Sequence, residues 1–297
     1  MSRIAYVRDA GTPGTYTTRH SAAVSVEDRG FLFADGIYEV CELRDGCLVD
    51  ESRHLDRYEK SLAALRITPP MSRRSLQLVL REVVRRNRVR DGIVYFQITR
   101  GAARRDHGFP TPSVAPTLTV FVAPVDVAAR EARATQGIAV VTVADERWFR
   151  RDIKSVNLLP NVLAKQTARE AGAYEAWLVD ADGYVTEGSS TNAWIITPAG
   201  TLVTRPLSQD ILPGITRSVI LETATQLGIN VEERKFSVGE ALSAAEAFLS
   251  SSSAILLPVI RIDENVINKG QPGPVAVRLR AASRANSRIS DMQLPDF

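Results

Sequence analysis

The period of apolar and polar positions changes repeatedly along the chain. Residues 31–38 and 40–49 read as strands punctuated by the turn pairs Asp35-Gly36 and Asp45-Gly46. Leu55, Tyr58, Leu62 and Leu65 share one face of a helix over 54–65, and 76–86 reads as a second helix. Residues 93–99 and 117–123 have the character of buried strands, and 124–137 is polar and alanine-rich, helical or linker-like. The pattern then restarts with a strand over 138–143, a helix over 159–170 stopped by Gly172, and hairpins at Asp182-Gly183 and Pro198-Ala199-Gly200. After Pro213-Gly214 a helix carries Ile215, Val219, Ile220, Ala224 and Leu227 and stops at Gly228. Ser237 and Glu240 form a capping box for the next helix, and beyond Gln271 a last helix and a polar tail follow. These elements predict a mixed α and β chain (α+β or α/β) in two domains: a smaller α/β domain over 1–126, a linker over 127–136, and a larger α/β domain over 137–297 carrying Lys154.

Composition narrows the class. The 297 residues are 44% apolar with 18 Gly and 15 Pro, enough to bury a large core and against extended disorder. No window approaches the ~20 consecutive apolar residues of a membrane span, and the start lacks a secretory signal, so a cytoplasmic protein without membrane contact is expected. Cys41 and Cys47 have no second pair to complete a set of four ligands, so neither a disulfide framework nor a metal site is expected. The pI near 9.0 raises the question of nucleic acid, yet 37 basic against 34 acidic residues leave a net charge of +3. The one arginine cluster, Arg81, Arg85, Arg86, Arg88 and Arg90, reads as the solvated side and end of a helix.

Only five basic residues are lysines: Lys60, Lys154, Lys165, Lys235 and Lys269. Lys154 differs from the rest because it interrupts the apolar path Ile153-Lys-Ser-Val-Asn-Leu-Leu that leads into a helix. Burial disfavours an ammonium, so a lysine there can present a neutral amine to an aldehyde and form a Schiff base. A lysine whose head reaches solvent, or pairs with Asp152, is the plainer alternative.

Five ordered motifs add weight to the first reading. They are Arg29-Gly-Phe-Leu-Phe-Ala-Asp-Gly-Ile-Tyr-Glu39, His54-Leu-Asp-Arg-Tyr-Glu-Lys-Ser61, the run 152–166 around Lys154, Val185-Thr-Glu-Gly-Ser-Ser-Thr-Asn192 and Leu212-Pro-Gly-Ile-Thr-Arg217. Together they resemble the fold-type IV pyridoxal-phosphate enzymes, and within these the D-amino acid aminotransferases, from about residue 27 to residue 280. The resemblance implies a two-domain fold with pyridoxal 5'-phosphate at the domain interface.

It also implies roles. Lys154 would bind the cofactor covalently and then move the substrate's proton, and Glu187 would face the pyridine nitrogen, where an anion keeps the ring protonated and electron-accepting. Arg57, in the His-x-x-Arg pattern, would bind the phosphate together with the helix start at Leu212, Ile215 and Thr216 and with Ser251 and Ser252 of the serine run. The substrate α-carboxylate would be held by Tyr38 and by an Arg-x-His pair, Arg105 and His107. In an extended chain these two, being two apart, would face one side while Asp106 turns away. In the resembling enzymes this loop reaches the neighbouring subunit's site, which implies a homodimer. The serine run, where threonine is common, and Ala254-Ile255, where more polar residues often follow, depart from the usual pattern.

The function so implied is ping-pong transamination through a pyridoxamine phosphate form. A D-amino acid such as D-alanine and a 2-oxo acid such as 2-oxoglutarate are the small-molecule partners. The alternatives are a transaminase of the same fold for branched-chain L-amino acids or (R)-amines, an aminodeoxychorismate lyase-like enzyme, or a cofactor- or nucleic-acid-binding protein without turnover.

Overall fold

Alternating segments of the N-terminal half build a six-stranded sheet from β1 (Ile4–Arg8), β2 (Thr15–Thr18), β3 (Gly36–Arg44), β4 (Cys47–Leu48), β5 (Gly92–Thr99) and β6 (Thr117–Pro124). Its order is β2-β1-β6-β5-β3-β4 and each adjacent pair is antiparallel. The structure is a computed structural model and describes residues 3–9 and 11–290. The strands alternate, so Cys41, Val94, Phe96, Ile98, Leu118 and Val120 are buried on one face with Leu55, Tyr58 and Leu62 of α2 (Glu51–Leu65) and Leu76, Leu80 and Val83 of α3 (Arg73–Asn87). Each large apolar side chain buried in this way contributes about 1.5–3 kcal/mol, as an upper estimate. The opposite face keeps Tyr38, Tyr95 and Phe121 half-buried.

The strand expected over 31–38 is corrected. Residues 29–33 form a short helix, α1 (Arg29–Phe33), because the Asp28 side chain accepts from the Gly30 and Phe31 N–H groups and Ala34 ends the turn in the left-handed region. Asp35-Gly36 is therefore no hairpin turn; β3 begins at Gly36 and runs to the Asp45-Gly46 turn, where both residues have positive φ.

A second, nine-stranded mixed sheet contains β7 (Ile138–Ala144), β8 (Glu175–Val179), β9 (Val185–Gly188), β10 (Asn192–Ile196), β11 (Leu202–Thr204), β12 (Val231–Glu233), β13 (Glu246–Ser251), β14 (Ile255–Ile262) and β15 (Asn265–Val266). The order is β12-β11-β10-β13-β14-β7-β8-β9, with β15 on β14. The helices are α4 (Val127–Gln136), α5 (Leu159–Glu170), α6 (Ile215–Gln226), α7 (Val238–Leu242) and α8 (Pro274–Asn286). Trp194, Phe248 and Leu256 pack with Ile220, Ala224 and Leu279 of α6 and α8, and Ala164 and Ala168 of α5 pack with Ala176 and Leu178. The central strands are thus buried on both sides and read as apolar runs. Ser237 caps α7 by accepting from the Glu240 N–H at 3.1 Å, as the capping box requires.

The chain divides into two compact units, but not as a simple cut in sequence. Of the described residues, the first takes those up to Val125 together with Ile153–Asn157 and 288–290; the second holds Asp126–Asp152 and Leu158–Ser287. Two expectations differ from this division. Residues 127–136 are α4 rather than a linker, because Asp126 accepts from the Ala129 N–H at 2.9 Å, Arg130 and Ala134 are buried, and Glu131 receives two 3.0 Å bonds from Arg280 of α8. Lys154 groups with the first unit rather than the larger one, because its segment pairs with β3. The polar tail expected at the end lies, from 291 on, outside the described residues.

Candidate active site

In the first unit, residues 153–157 run antiparallel to the start of β3. The Tyr38 N–H donates to the Lys154 carbonyl at 3.0 Å, the Val156 N–H donates to the Gly36 carbonyl at 3.0 Å, and Ser155 bridges Ile37. Ile153 and Ser155 are buried, and Lys154 between them is half-buried, so the lysine neither projects freely nor is sealed in. Its Nζ stands 4.1 Å from the centroid of the Tyr38 ring. Asp152, the alternative partner, is held by Arg150 through two bonds of 2.9 Å. Tyr38 stacks on Tyr95 at 5.6 Å and Tyr95 on Phe121 at 4.7 Å, which gives the lysine an aromatic floor drawn from three strands.

On the buried face of the same strand lies Glu39, 0% exposed. Arg57 of α2 forks onto it, Nε to Oε1 at 2.7 Å and Nη2 to Oε2 at 2.8 Å, and His54, one helical turn away, places Nδ1 2.8 Å from Oε2. The residue expected to bind phosphate is therefore pre-oriented by a carboxylate. Burial alone would raise the Glu39 carboxyl, but Arg57 and His54 hold it far below the usual carboxylate range. Burial draws the His54 imidazole below its ordinary value, with Glu39 pulling the other way. The sequence reading does not single out Glu39. Its signal is an acid in register with the buried Ile37 and Cys41, where a charge requires a partner.

The Arg105 and His107 side chains meet over one ring: the Arg105 guanidinium lies 5.3 Å from the Phe33 centroid, and the His107 ring lies 5.3 Å from it. Both residues are exposed. The segment bends at 104–105 and 107–108 and is not extended, so alternation is not what aligns them. Arg29 does this by donating to the carbonyls of Asp106 at 2.6 Å and His107 at 3.3 Å, while its Nε is anchored on Asp35 at 2.9 Å. Among the described residues no hydrogen bond or ring contact joins Tyr38 to this pair.

In the second unit Glu187 lies buried in β9. The Leu212 N–H is 3.2 Å from each of its oxygens, the Asn192 Nδ2 donates to Oε2 at 3.0 Å, and Arg147 Nη1 donates to Oε1. Burial lifts the Glu187 carboxyl above its ordinary range, opposed by Arg147 and the Leu212 N–H. Asn192 also donates to the Leu212 carbonyl at 3.2 Å. A Cβ at Gly214 would lie 2.1 Å from Asn192 Oδ1, so glycine is required there if Asn192 is to keep this position. Gly214 is the N-cap of α6 and supplies no side-chain acceptor to the first turn, which contains Ile215 and Thr216. Ser251 and Ser252 lie where β13 turns into β14; the Ser251 Oγ accepts from the Ala254 N–H at 3.2 Å, and Ile255 closes the turn at φ +63°. Sequence reasoning misses Arg147, which stands in a charged run with no distinguishing spacing.

The donor types fit pyridoxal phosphate. A half-buried amine can react with its aldehyde, and a buried carboxylate with one oxygen pair fixed by N–H donors can face a protonated ring nitrogen. A twelve-residue helix opening on Gly214 without a side-chain cap presents backbone N–H groups of the kind that bind phosphate.

Comparison with known proteins agrees with these observations. The family described as amino-transferase class IV matches residues 36–262, a span that includes Tyr38, Arg57, Lys154, Glu187 and the other residues expected to bind cofactor or substrate. D-alanine aminotransferase of Bacillus licheniformis is 39% identical over 278 residues, covering 94% of this chain and 96% of that protein. The enzyme of the same name from Staphylococcus aureus (strain MSSA476) is 39% identical over 267 residues, 90% and 93% of the two chains. The T.th. branched-chain amino acid aminotransferase complexed with N-(5'-phosphopyridoxyl)-L-glutamate superposes with a TM-score of 0.85 at 27% identity, over 96% of this chain and 93% of that one. The Escherichia coli branched-chain enzyme shares the fold with a TM-score of 0.87 at 24% identity, covering 96% and 94%. The extent of the family match and the identity to relatives along nearly their whole length place this chain in the class IV amino-transferase family.

Proposed function

We propose that the protein is a pyridoxal-phosphate-dependent D-amino acid aminotransferase that passes the amino group of a donor such as D-alanine to a 2-oxo acid such as 2-oxoglutarate. The observation that carries this choice within the family is the pairing of Arg105 and His107 over Phe33, a ready carboxylate trap. The 39% identity to proteins named D-alanine aminotransferase supports it. The branched-chain enzymes, similar in fold at lower identity, supply the main rival reading.

Pyridoxal phosphate, when bound, supplies an aldehyde that takes up the amino group and a ring that accepts electrons. Lys154 would hold that aldehyde through Nζ, and the same amine would serve as the base for the proton on the donor's Cα. Glu187 would keep the ring nitrogen protonated, and its own orientation is fixed by Leu212, Asn192 and Arg147. Arg57, aimed by Glu39, and the α6 start at Ile215 and Thr216 bind phosphate, with Ser251 and Ser252 adding donors. The Tyr38 hydroxyl and the Arg105–His107 pair hold the α-carboxylate. We read the working form as a cytoplasmic homodimer whose exposed loop, which carries Phe109 at 47% exposure, meets a second copy. Buried, unpaired Cys41 and Cys47 are in keeping with a reducing compartment.

The test is product analysis with D-alanine and 2-oxoglutarate. Equal amounts of pyruvate and D-glutamate are expected. Pyruvate formed from aminodeoxychorismate without an oxo acid acceptor, or exchange confined to L-leucine, would contradict the proposal.

A further inference from the structure

Arg147 follows β7 by three residues and carries a side chain that is 7% exposed, between the side chains of Asp145 and Glu187 at 0% and 5%. Its fork is fully committed. Nε and Nη2 bind the two oxygens of Asp145 at 2.9 and 2.8 Å, and Nη1 is left to Glu187 Oε1. Asp145 is itself fixed by the Thr186 hydroxyl at 2.7 Å and faces Arg151 at 3.6 Å. Beyond these, Asp210 offers its carbonyl to Arg147 Nη2 at 3.5 Å, while its carboxylate is engaged by Arg205 at 2.7 Å and Arg151 at 3.6 Å. Among the described residues Arg147 is the one cation in ion-pair contact with Glu187.

This arrangement divides the labour on Glu187. Arg147 takes Oε1, Asn192 takes Oε2, and the Leu212 N–H lies equally far from both, so the carboxylate plane has one setting. Asn192 and Leu212 are neutral donors. The charge that keeps a buried carboxylate ionised must come from the guanidinium, against both burial and the like charge of Asp145. Burial would lower the Arg147 guanidinium as well, but Glu187 and Asp145 hold it above its ordinary value, so it remains a cation.

We infer that Arg147 is a positioning residue: it holds Glu187 ionised and oriented, and through Glu187 keeps the proton on the cofactor's pyridine nitrogen. This rests on the reading of Glu187 as the pyridine partner. A neutral side chain at position 147 lets Glu187 take that proton back, and the ring becomes a poorer electron acceptor without loss of any group that touches the substrate.

The experiment loads wild type, Arg147→Met, Arg147→Lys and Glu187→Gln with pyridoxal phosphate labelled with ¹⁵N in the ring and follows the nitrogen by NMR across the neutral and alkaline range. Wild type is expected to keep the nitrogen protonated throughout. Arg147→Met should lose the proton within that range, at least about one pH unit below its upper limit, a change of tenfold or more in the equilibrium. Arg147→Lys should retain it until the substituted ammonium itself titrates, because lysine can be deprotonated where arginine cannot. Arg147→Met matching wild type while Glu187→Gln loses the proton overturns the role of Arg147 alone. A protonated nitrogen in Glu187→Gln overturns the pyridine-partner reading and this inference with it. If Arg147→Met does not fold, Arg147→Gln, which keeps a donor to Glu187 without the charge, takes its place, and a wild-type profile in Arg147→Gln overturns the inference.

Discussion

The Nζ of Lys154 rests 4.1 Å from the centroid of the Tyr38 ring, and the two residues are also joined by the 3.0 Å bond from the Tyr38 N–H to the Lys154 carbonyl. The ring face steadies the lysine head when it is charged, a contact of about 0.5–2 kcal/mol, while the phenol oxygen stays available for a second task. Tyr38→Phe separates the two. The ring and the reaction of Lys154 with the cofactor should persist, whereas the KM for D-alanine should rise by about tenfold, from loss of a hydrogen bond to a charged group worth about 1.5–3 kcal/mol. Steady-state kinetics beside borohydride labelling of the lysine measures both; an unchanged KM removes Tyr38 from the carboxylate site.

Lys154→Ala should fold and still take up pyridoxal phosphate without a covalent bond, yet lose turnover by several orders of magnitude, since general acid–base transfer alone is worth ~10²–10⁴-fold. Near-normal activity, or borohydride labelling at Lys60, Lys165, Lys235 or Lys269, removes Lys154 from its role.

Arg105→Leu deletes a charge-assisted contact to the α-carboxylate worth about 1.5–3 kcal/mol. An (R)-amine has no carboxylate to lose, so the ratio of kcat/KM for (R)-1-phenylethylamine over D-alanine should rise about tenfold or more, at about 1.36 kcal/mol per decade. The ratio is measured in one buffer for wild type and mutant. An unchanged ratio makes Arg105 an ordinary loop charge.

The Glu39, Arg57 and His54 cluster makes the first unit sensitive to acid. Both Glu39 and His54 titrate below their ordinary values of 4.5 and 6.5 in the folded chain. Each therefore contributes stability that is complete above its unfolded value and is lost as pH falls toward the folded one. Denaturant unfolding should show stability falling on acidification from the imidazole range downward, and His54→Gln should flatten the first part of that fall. Glu39→Gln leaves a buried guanidinium without its fork and should cost about 3–5 kcal/mol at neutral pH. A pH profile that is the same in wild type and His54→Gln contradicts the assignment.

Local pattern carries much of the fold. The helix over 159–170 has the bounds read from sequence because Pro160 and Gly172 mark its ends, and the Ser237 cap follows from spacing. The short helix α1 is not legible, since its five residues are too few to show a period and Asp28 alone decides it. Nor is the grouping of Lys154 with the first unit, which depends on pairing between residues more than a hundred positions apart. At the proposed site, the resemblance supplies Lys154, Glu187 and Arg57, to which its motifs assign the chemistry. Glu39, Arg29 and Arg147 act on other residues of the chain rather than on a ligand. Their partners emerge only from distances, because a buried ion pair leaves no fixed spacing in sequence, although the register of Glu39 with Ile37 and Cys41 signals that it needs one.

The most direct test of the central claim is a half-reaction in which the cofactor-loaded protein is mixed, without any oxo acid, with D-alanine, L-leucine or (R)-1-phenylethylamine in separate cuvettes. The absorbance of the yellow lysine-bound cofactor and that of the colourless pyridoxamine form are followed together. The account predicts rapid, complete conversion by D-alanine and slow or no conversion by the other two. Conversion by L-leucine or the amine with D-alanine inert would contradict it and assign the chain to a different substrate branch of the same family.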